Sequence, residues 1–469
     1  MRRVISFLVI TLAVLVVCNS AWARVKVYTD VDKPVVLAGD DSTIVVKVGL
    51  SGDDVPRPKK RLLFNIAVVL DKSGSMRSRR KIENAKQGAI EIVDRLTCDD
   101  IFSFIVYGTQ PQVLIPAQRV TNKDALIDVI QSISADGSTA LYDGVVFGAA
   151  EVRKHASEEH INRIVLLSDG LANVGPQSTD DLAELGMSLS DEGIIVSTIG
   201  VGLDYNEDLM TALAASGDGN AYFAANSDEL PDIFTEEIGE AMTLLARDIA
   251  INVDCPDKVT PIRVLGRRGV ITDTDMELTI GHLYGKNEKF ALFEIQVPAM
   301  KAGKNITVAR VNIKYSDPYS KNIVTDHQTL SIAYHKDQGF VERKQNKQII
   351  KEAALNRAAE VKRRAIALSD KGDFLSASRL MKSNSSTLEK VALQCDNDTE
   401  LLGEAKQFGL YGTSVMMQEG FSKRQRKGMM NQQHTTTNQQ SFISRGGSVQ
   451  TEDIQQEKRK GLMQRLFSR

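Results

Sequence analysis

The spacing of apolar positions changes character several times along this chain. Residues 25–50 carry two short runs, Val25-Lys26-Val27-Tyr28 and Thr43-Ile44-Val45-Val46-Lys47-Val48, that read as strands. A hinge-like stretch follows at 51–60, with Pro56 and Pro58. Residues 62–70 are almost continuously apolar, which suits a strand buried on both faces. Ile82, Ala85, Ala89, Ile92, Val93 and Leu96 then recur at helical spacing. The alternation continues, with strands predicted at 101–107, 164–168, 194–200 and 221–224 and helices at 123–133, 140–156, 180–190, 207–215 and 228–246. Strands interleaved with helices of this length imply a doubly wound, mostly parallel sheet covered on both faces, placed at 61–246.

Period-2 spacing returns with Ala291, Phe293, Ile295 and Val297, and again with Leu330, Ile332 and Tyr334, so 247–336 reads as antiparallel β structure. The strands before residue 50 are too few to bury a face alone. The economical arrangement joins 24–60 with 247–336 in one β-sandwich and inserts the α/β domain between them. Residues 337–420 turn helical and rich in Ala and Lys, and Gly372-Asp373-Phe374 is placed to open the second helix of a pair. From 421 to 469 the chain fills with Gln, Asn, Thr and Ser, a composition that predicts a disordered, basic tail. The expected fold class is thus α/β: a Rossmann-like sheet inserted in a β-sandwich and followed by a helical region.

Arg2 and Arg3 precede an apolar run over 4–17, and Ala21-Trp22-Ala23 offers small residues for cleavage after Ala23, so 1–23 reads as a secretory signal peptide. The run is shorter than the ~20 residues a spanning helix needs. The mature chain is therefore expected to be exported, to a periplasm or the extracellular space. Membrane contact is expected only through an uncleaved anchor or through 458–469, where Leu462, Met463, Leu466 and Phe467 lie among basic residues. Fifty-eight Lys and Arg against 60 Asp and Glu leave no basic excess to suggest nucleic-acid binding. Cys98, Cys255 and Cys395 remain after cleavage. With no CxxC spacing they support neither a zinc knuckle nor a redox dithiol, and they leave one disulfide or none open.

Candidate chemistry gathers at the ends of the predicted sheet strands. Asp71-Lys72-Ser73-Gly74-Ser75 directly follows the apolar run at 62–70. Thr139 lies in Asp136-Gly137-Ser138-Thr139-Ala140, which opens a helix, and Asp169 follows the strand at 164–168. In an open α/β sheet, ligands bind outside the carboxyl ends of the strands, at the topological switch point. A hard cation such as Mg²⁺ takes six oxygens, some of them water. Ser73, Ser75 and Thr139 can supply neutral hydroxyl oxygens, and Asp71 and Asp169 negative charge, directly or through water. Two carboxylates roughly balance the ion and leave it affinity for one more oxygen, ideally a carboxylate from another molecule. Oxygen ligands suit Mg²⁺, Mn²⁺ and, less well, Ca²⁺.

Asp71-x-Ser73-x-Ser75 with Thr139 and Asp169 resembles the metal-ion-dependent adhesion site of the von Willebrand factor type A domain, over about 61–246. The resemblance implies Mg²⁺ or Mn²⁺, with the two serines and the threonine as direct or switchable ligands and the aspartates often acting through water. It also implies a closing helix, here 228–246, that shifts in some members when the site is occupied. The flanking β segments are similar, more loosely, to those of secreted bacterial proteins with this domain and of inter-alpha-trypsin-inhibitor heavy chains. The function expected is non-enzymatic capture of a protein partner through an acidic group. The alternative is a scaffold whose metal only fixes loops. A metal-assisted hydrolase lacks its base, since no histidine stands in the three motif segments. Two other patterns carry nothing: Phe223 occupies the glycine position of an EF-hand-like run from Asp218 to Glu229, and His155 and His160 do not form HExxH.

Overall fold

The computed structural model describes residues 25–53 and 61–440. The expected signal peptide at 1–23 and the amphipathic stretch at 458–469 lie outside the described residues. Three strands come first: β1 (Val25–Val31), β2 (Val35–Leu37) and β3 (Ser42–Gly52). The alternating region follows as β4 (Leu63–Asp71), α1 (Lys81–Arg95), β5 (Ile101–Tyr107), β6 (Pro111–Arg119), α2 (Lys123–Gln131) and α3 (Leu141–Arg153). It continues as β7 (His160–Ser168), α4 (Thr179–Asp191), β8 (Ile194–Val201), α5 (Glu207–Ser216), β9 (Asp218–Ala224) and α6 (Leu230–Ala241).

The six strands form one sheet in the order β6-β5-β4-β7-β8-β9, parallel throughout except for the β5–β6 hairpin. The central strand explains its own apolar run. Phe64, Ile66, Val68 and Leu70 pack on one side with Ile92 and Val93 of α1 and Phe234 and Ile238 of α6. Ala67 and Val69 pack on the other with Val145 and Ala149 of α3 and Leu213 of α5. Successive side chains leave opposite faces, so a strand covered on both sides is apolar at nearly every position; the exception, Asn65, donates to the Val152 carbonyl at 2.8 Å. The edge strand β6 was not among the expected elements. Leu114 breaks its polar-apolar alternation and Pro116 argues against a strand, although an edge strand tolerates the proline.

Seven further strands are β10 (Leu244–Asp254), β11 (Thr260–Leu265), β12 (Val270–Ile271), β13 (Asp275–Tyr284), β14 (Glu288–Val297), β15 (Asn305–Ser316) and β16 (Ile323–His335). With the first three they form two packed sheets, β1-β3-β14-β11 and β12-β13-β10-β15-β16-β2. The opening strands serve both sheets: β3 pairs antiparallel with β14, and β2 pairs parallel with β16. Ile44, Val46 and Val48 of β3 share a core with Ile249, Ile251 and Val253 of β10. The α/β unit is thus inserted in a sandwich, as expected. The closing helix is shorter than expected, because Leu244, Leu245 and Ala246 belong to β10, where pairing with β13 buries them.

A helical region completes the described residues: α7 (Gln338–Arg343), α8 (Lys347–Asp370), α9 (Phe374–Gln394), α10 (Thr399–Met417) and α11 (Lys423–Asn438). Asp373 caps α9 by accepting the Ser376 N–H at 3.0 Å. Over 421–440, α11 corrects the expectation of disorder; the rest of the expected tail, 441–469, lies outside the described residues. α11 starts with a capping box from Ser422 and Gln425 and lies between α8, α5 and β9. Most of its buried polar side chains are partnered, Thr435 Oγ1 and Asn431 Oδ1 being exceptions. Lys427 donates to the Tyr205 carbonyl at 2.6 Å and pairs with Glu207, and Arg426 bonds Asp208 at 2.8 Å and Asp370 at 2.9 Å. Asn431 donates to the Ala221 carbonyl on the outer side of β9, and the Ala221 N–H donates to Gln440. Buried polar groups with partners cost little, so composition alone misreads this segment. The three cysteines of the described residues are free thiols, and burial pushes the Cys255 thiol up to about 12.

Candidate metal centre

β4 and β7 lie side by side in the sheet, but the chain leaves them in opposite directions, toward β5 and toward β8. Their carboxyl ends therefore border the crevice where the sheet order reverses. Asp71 ends β4 and is fully buried. Its Oδ1 accepts the Ser73 N–H at 2.8 Å and its Oδ2 the Ser168 hydroxyl at 3.1 Å. Asp169, one residue beyond β7, is buried as deeply. Its Oδ1 accepts the Ser75 hydroxyl and its Oδ2 the Lys81 ammonium, each at 2.6 Å. Ser73 Oγ and Ser75 Oγ lie 2.9 Å apart.

Thr139 reaches the same crevice from the loop before α3. That loop is stitched to the Asp71–Ser75 segment by backbone bonds from Asp136 N to Lys72 O and from Gly74 N to Gly137 O at 3.1 Å. Gly137 turns it with φ of +91°, and a Cβ there would stand 3.0 Å from the Thr109 nitrogen. Thr139 is held by its own N–H, which donates to Asn173 Oδ1 at 2.9 Å. A side chain on Gly170 would begin 3.3 Å from Thr139 Oγ1, 3.6 Å from Ser75 Oγ and 4.0 Å from Ser73 Oγ. Three hydroxyls thus converge on one small space that glycine leaves clear. All five residues expected from the sequence, Asp71, Ser73, Ser75, Thr139 and Asp169, meet here.

Burial pushes the Asp71 carboxyl up to about 6; the Ser73 and Ser168 bonds oppose the rise and the nearby Asp169 charge adds to it. Lys81, itself buried, places a positive charge against Asp169. Sequence reading missed Lys81 and Ser168. Ser168 carried a faint signal, a polar residue closing an apolar strand; Lys81 carried none, being a lysine at the start of an amphipathic helix. Among the described residues no group of three or more His, Cys, Asp or Glu is placed to hold a metal. The oxygen set here, hydroxyls with two carboxylates, has the composition that a hard divalent cation takes, not the nitrogen and sulfur that zinc favours.

Residues 65–236 match the family model of the von Willebrand factor type A domain. An uncharacterized protein of Synechocystis is 29% identical over 303 residues, 61% of this chain and 69% of its own length. Mouse inter-alpha-trypsin inhibitor heavy chain H3 is 28% identical over 167 residues, 34% of this chain and 18% of its own length. Among solved structures, a von Willebrand factor type A protein from Catenulispora acidiphila superposes with a TM-score of 0.65 at 16% identity, over 90% of this chain and 98% of its own. The likeness therefore extends beyond the inserted domain to the architecture as a whole. Among the described residues no helix is long and apolar enough to cross a membrane.

Proposed function

We propose that the protein is an exported, non-enzymatic binding module. In this reading it captures a carboxylate of a protein partner at a divalent cation held by Asp71, Ser73, Ser75, Thr139 and Asp169. The observation that carries the reading is the convergence of three hydroxyls and two buried carboxylates around the space beside Gly170. When bound, Mg²⁺ or Mn²⁺ would supply a coordination position for one further oxygen. The chain's own residues prepare that position. Asp71 and Asp169 balance the ion, and Lys81 adds a buried positive charge beside Asp169, so the loaded centre favours an anionic ligand. Capture is favoured over hydrolysis because the described loops at the site bring hydroxyls, aspartates, an asparagine and a lysine but no histidine. Export rests on the leader-like residues 1–23.

The test is a pull-down from envelope or extracellular extract with the mature protein in Mg²⁺, in EDTA, and as the Asp71→Ala/Ser73→Ala variant. A partner retained only by the wild type in Mg²⁺ is the expected result. A partner retained equally in all three lanes would overturn metal-mediated capture.

A further inference from the structure

Beside the candidate metal centre runs an open groove of about 530 Å³. Arg77 and Arg80 line it together with Asp136, over a largely buried apolar floor of Ile82, Ile133 and Ala135. Chain connectivity fixes its distance from the centre. Arg77 is two residues beyond Ser75, a step of at most ~7 Å, and Asp136 is three residues before Thr139.

The rim is cationic. Lys72, Arg77, Arg79 and Arg80 fall within one short stretch, and Arg77, Arg79 and Arg80 are exposed. Two carboxylates face them. Asp136 lies 3.8 Å from Arg77 and is itself exposed, and Glu83 is taken by Lys86 at 3.2 Å. Among the described residues no carboxylate pairs with Lys72, Arg79 or Arg80. Arg79 and Arg80 hold successive φ values of +53° and +56°, a costly backbone for residues with side chains. The Ser227 hydroxyl, donating to the Arg79 carbonyl at 2.9 Å, and Arg77 Nε, donating to the Ala135 carbonyl at 2.9 Å, tie this turn in place.

We propose that this groove is the second half of the recognition surface and takes an extended acidic peptide segment of the partner. One carboxylate goes to the metal centre, and an acidic side chain two residues away goes to Arg77 and Arg80. The proposal rests on the carboxylate-capture reading above. In an extended segment, residues two apart share a face and stand ~6.6–6.8 Å apart, a span short enough for one to seat beside Ser75 while the other meets the long side chains of Arg77 and Arg80. The apolar floor suits the intervening peptide rather than a polyphosphate.

The experiment selects a random peptide library displayed on phage against the full mature protein in Mg²⁺. Enriched peptides are then synthesised and titrated into wild type in Mg²⁺, wild type in EDTA, Asp71→Ala, and Arg77→Gln/Arg80→Gln. The expected result is enrichment of acidic pairs spaced i, i+2, bound about 10-fold more weakly by the double glutamine variant, which still folds and still binds Mg²⁺. Single-acid peptides bound equally by that variant and the wild type would overturn the groove and leave metal capture standing. No enrichment, or binding indifferent to EDTA and Asp71→Ala, would overturn the capture reading and this one with it.

Discussion

Replacing Arg163 by Met should cost roughly a third or more of the stability of a typical domain. Arg163 on β7 and Glu237 on α6 are both fully buried, with Arg163 Nε 2.9 Å from Glu237 Oε1. Arg163 also donates to the Tyr284 hydroxyl of β13 at 3.2 Å, so one guanidinium joins the central sheet, the closing helix and the sandwich. Met is apolar and of similar reach, which leaves the loss of charge as the main change. Removing one partner of a buried pair costs about 3–5 kcal/mol, because the other is left charged in a dry site. Glu237 would keep bonds from Tyr222 at 2.8 Å and Asn220 at 3.1 Å, which places the cost near the lower bound, about 3 kcal/mol. In a domain of this size that lowers the melting temperature by roughly 10 °C. Circular dichroism is the suitable probe, since the one tryptophan, Trp22, falls within the expected signal peptide. Arg163→Met/Glu237→Met should recover most of the loss, because a buried ion pair and its apolar replacement are close in energy. A single variant within about 1 kcal/mol of wild type, or a double no better than the single, would refute the reasoning.

Four further outcomes are expected. Mg²⁺ at about 100 times its dissociation constant should stabilise the wild type by about 2.7 kcal/mol and leave Asp71→Ala/Ser73→Ala unmoved, as melts with and without EDTA would report. Gly170→Ala should fold normally but lose about 10-fold or more in Mg²⁺ affinity by calorimetry, since its Cβ would begin 3.3 Å from Thr139 Oγ1; unchanged affinity would show that cations do not use this space. Lys81→Met should bind Mg²⁺ more tightly, because Asp169 loses a competing cation at 2.6 Å; weaker binding would contradict the charge argument. His434 is buried, and burial, reinforced by the charges of Lys289 and Arg267, lowers it from 6.5 to about 4. Its folded value lies below its unfolded one, so the stability it contributes is intact above pH 6.5 and is lost as pH falls toward 4, by about 3 kcal/mol. Urea midpoints measured across that range should flatten in His434→Gln, and an unchanged slope would rule the histidine out.

What the sequence made legible is what local pattern controls. The apolar run of β4 had to be a doubly covered strand, and Asp71 at its end had to stand at the rim of the sheet. The spacing Asp71-x-Ser73-x-Ser75, with Thr139 and Asp169, put the five oxygen-bearing side chains in view before any coordinates. What stayed hidden depends on distant partners. α11 reads as a solvated tail until Glu207, Asp208 and the Tyr205 carbonyl are brought against Arg426 and Lys427. Leu244–Ala246 reads as one more helical turn until β13 arrives to pair with it. Lys81 reads as a surface lysine until α1 is packed beside Asp169.

The contact between α11 and the outer strand β9 also has a consequence in time. Asn431 and the Ala221 carbonyl it accompanies are 210 residues apart in the chain. At ~5–20 residues per second, roughly 10 to 40 seconds of synthesis separate them. Over that interval β9 offers its unmade hydrogen bonds to any other strand nearby, the condition under which sheets join edge to edge. α11 thus works as a late-arriving cover for the outer edge of β9. A chain truncated before Ser422 would keep Asp71, Ser73, Ser75, Thr139 and Asp169, yet its tendency to associate would report on the open edge and not on the metal centre.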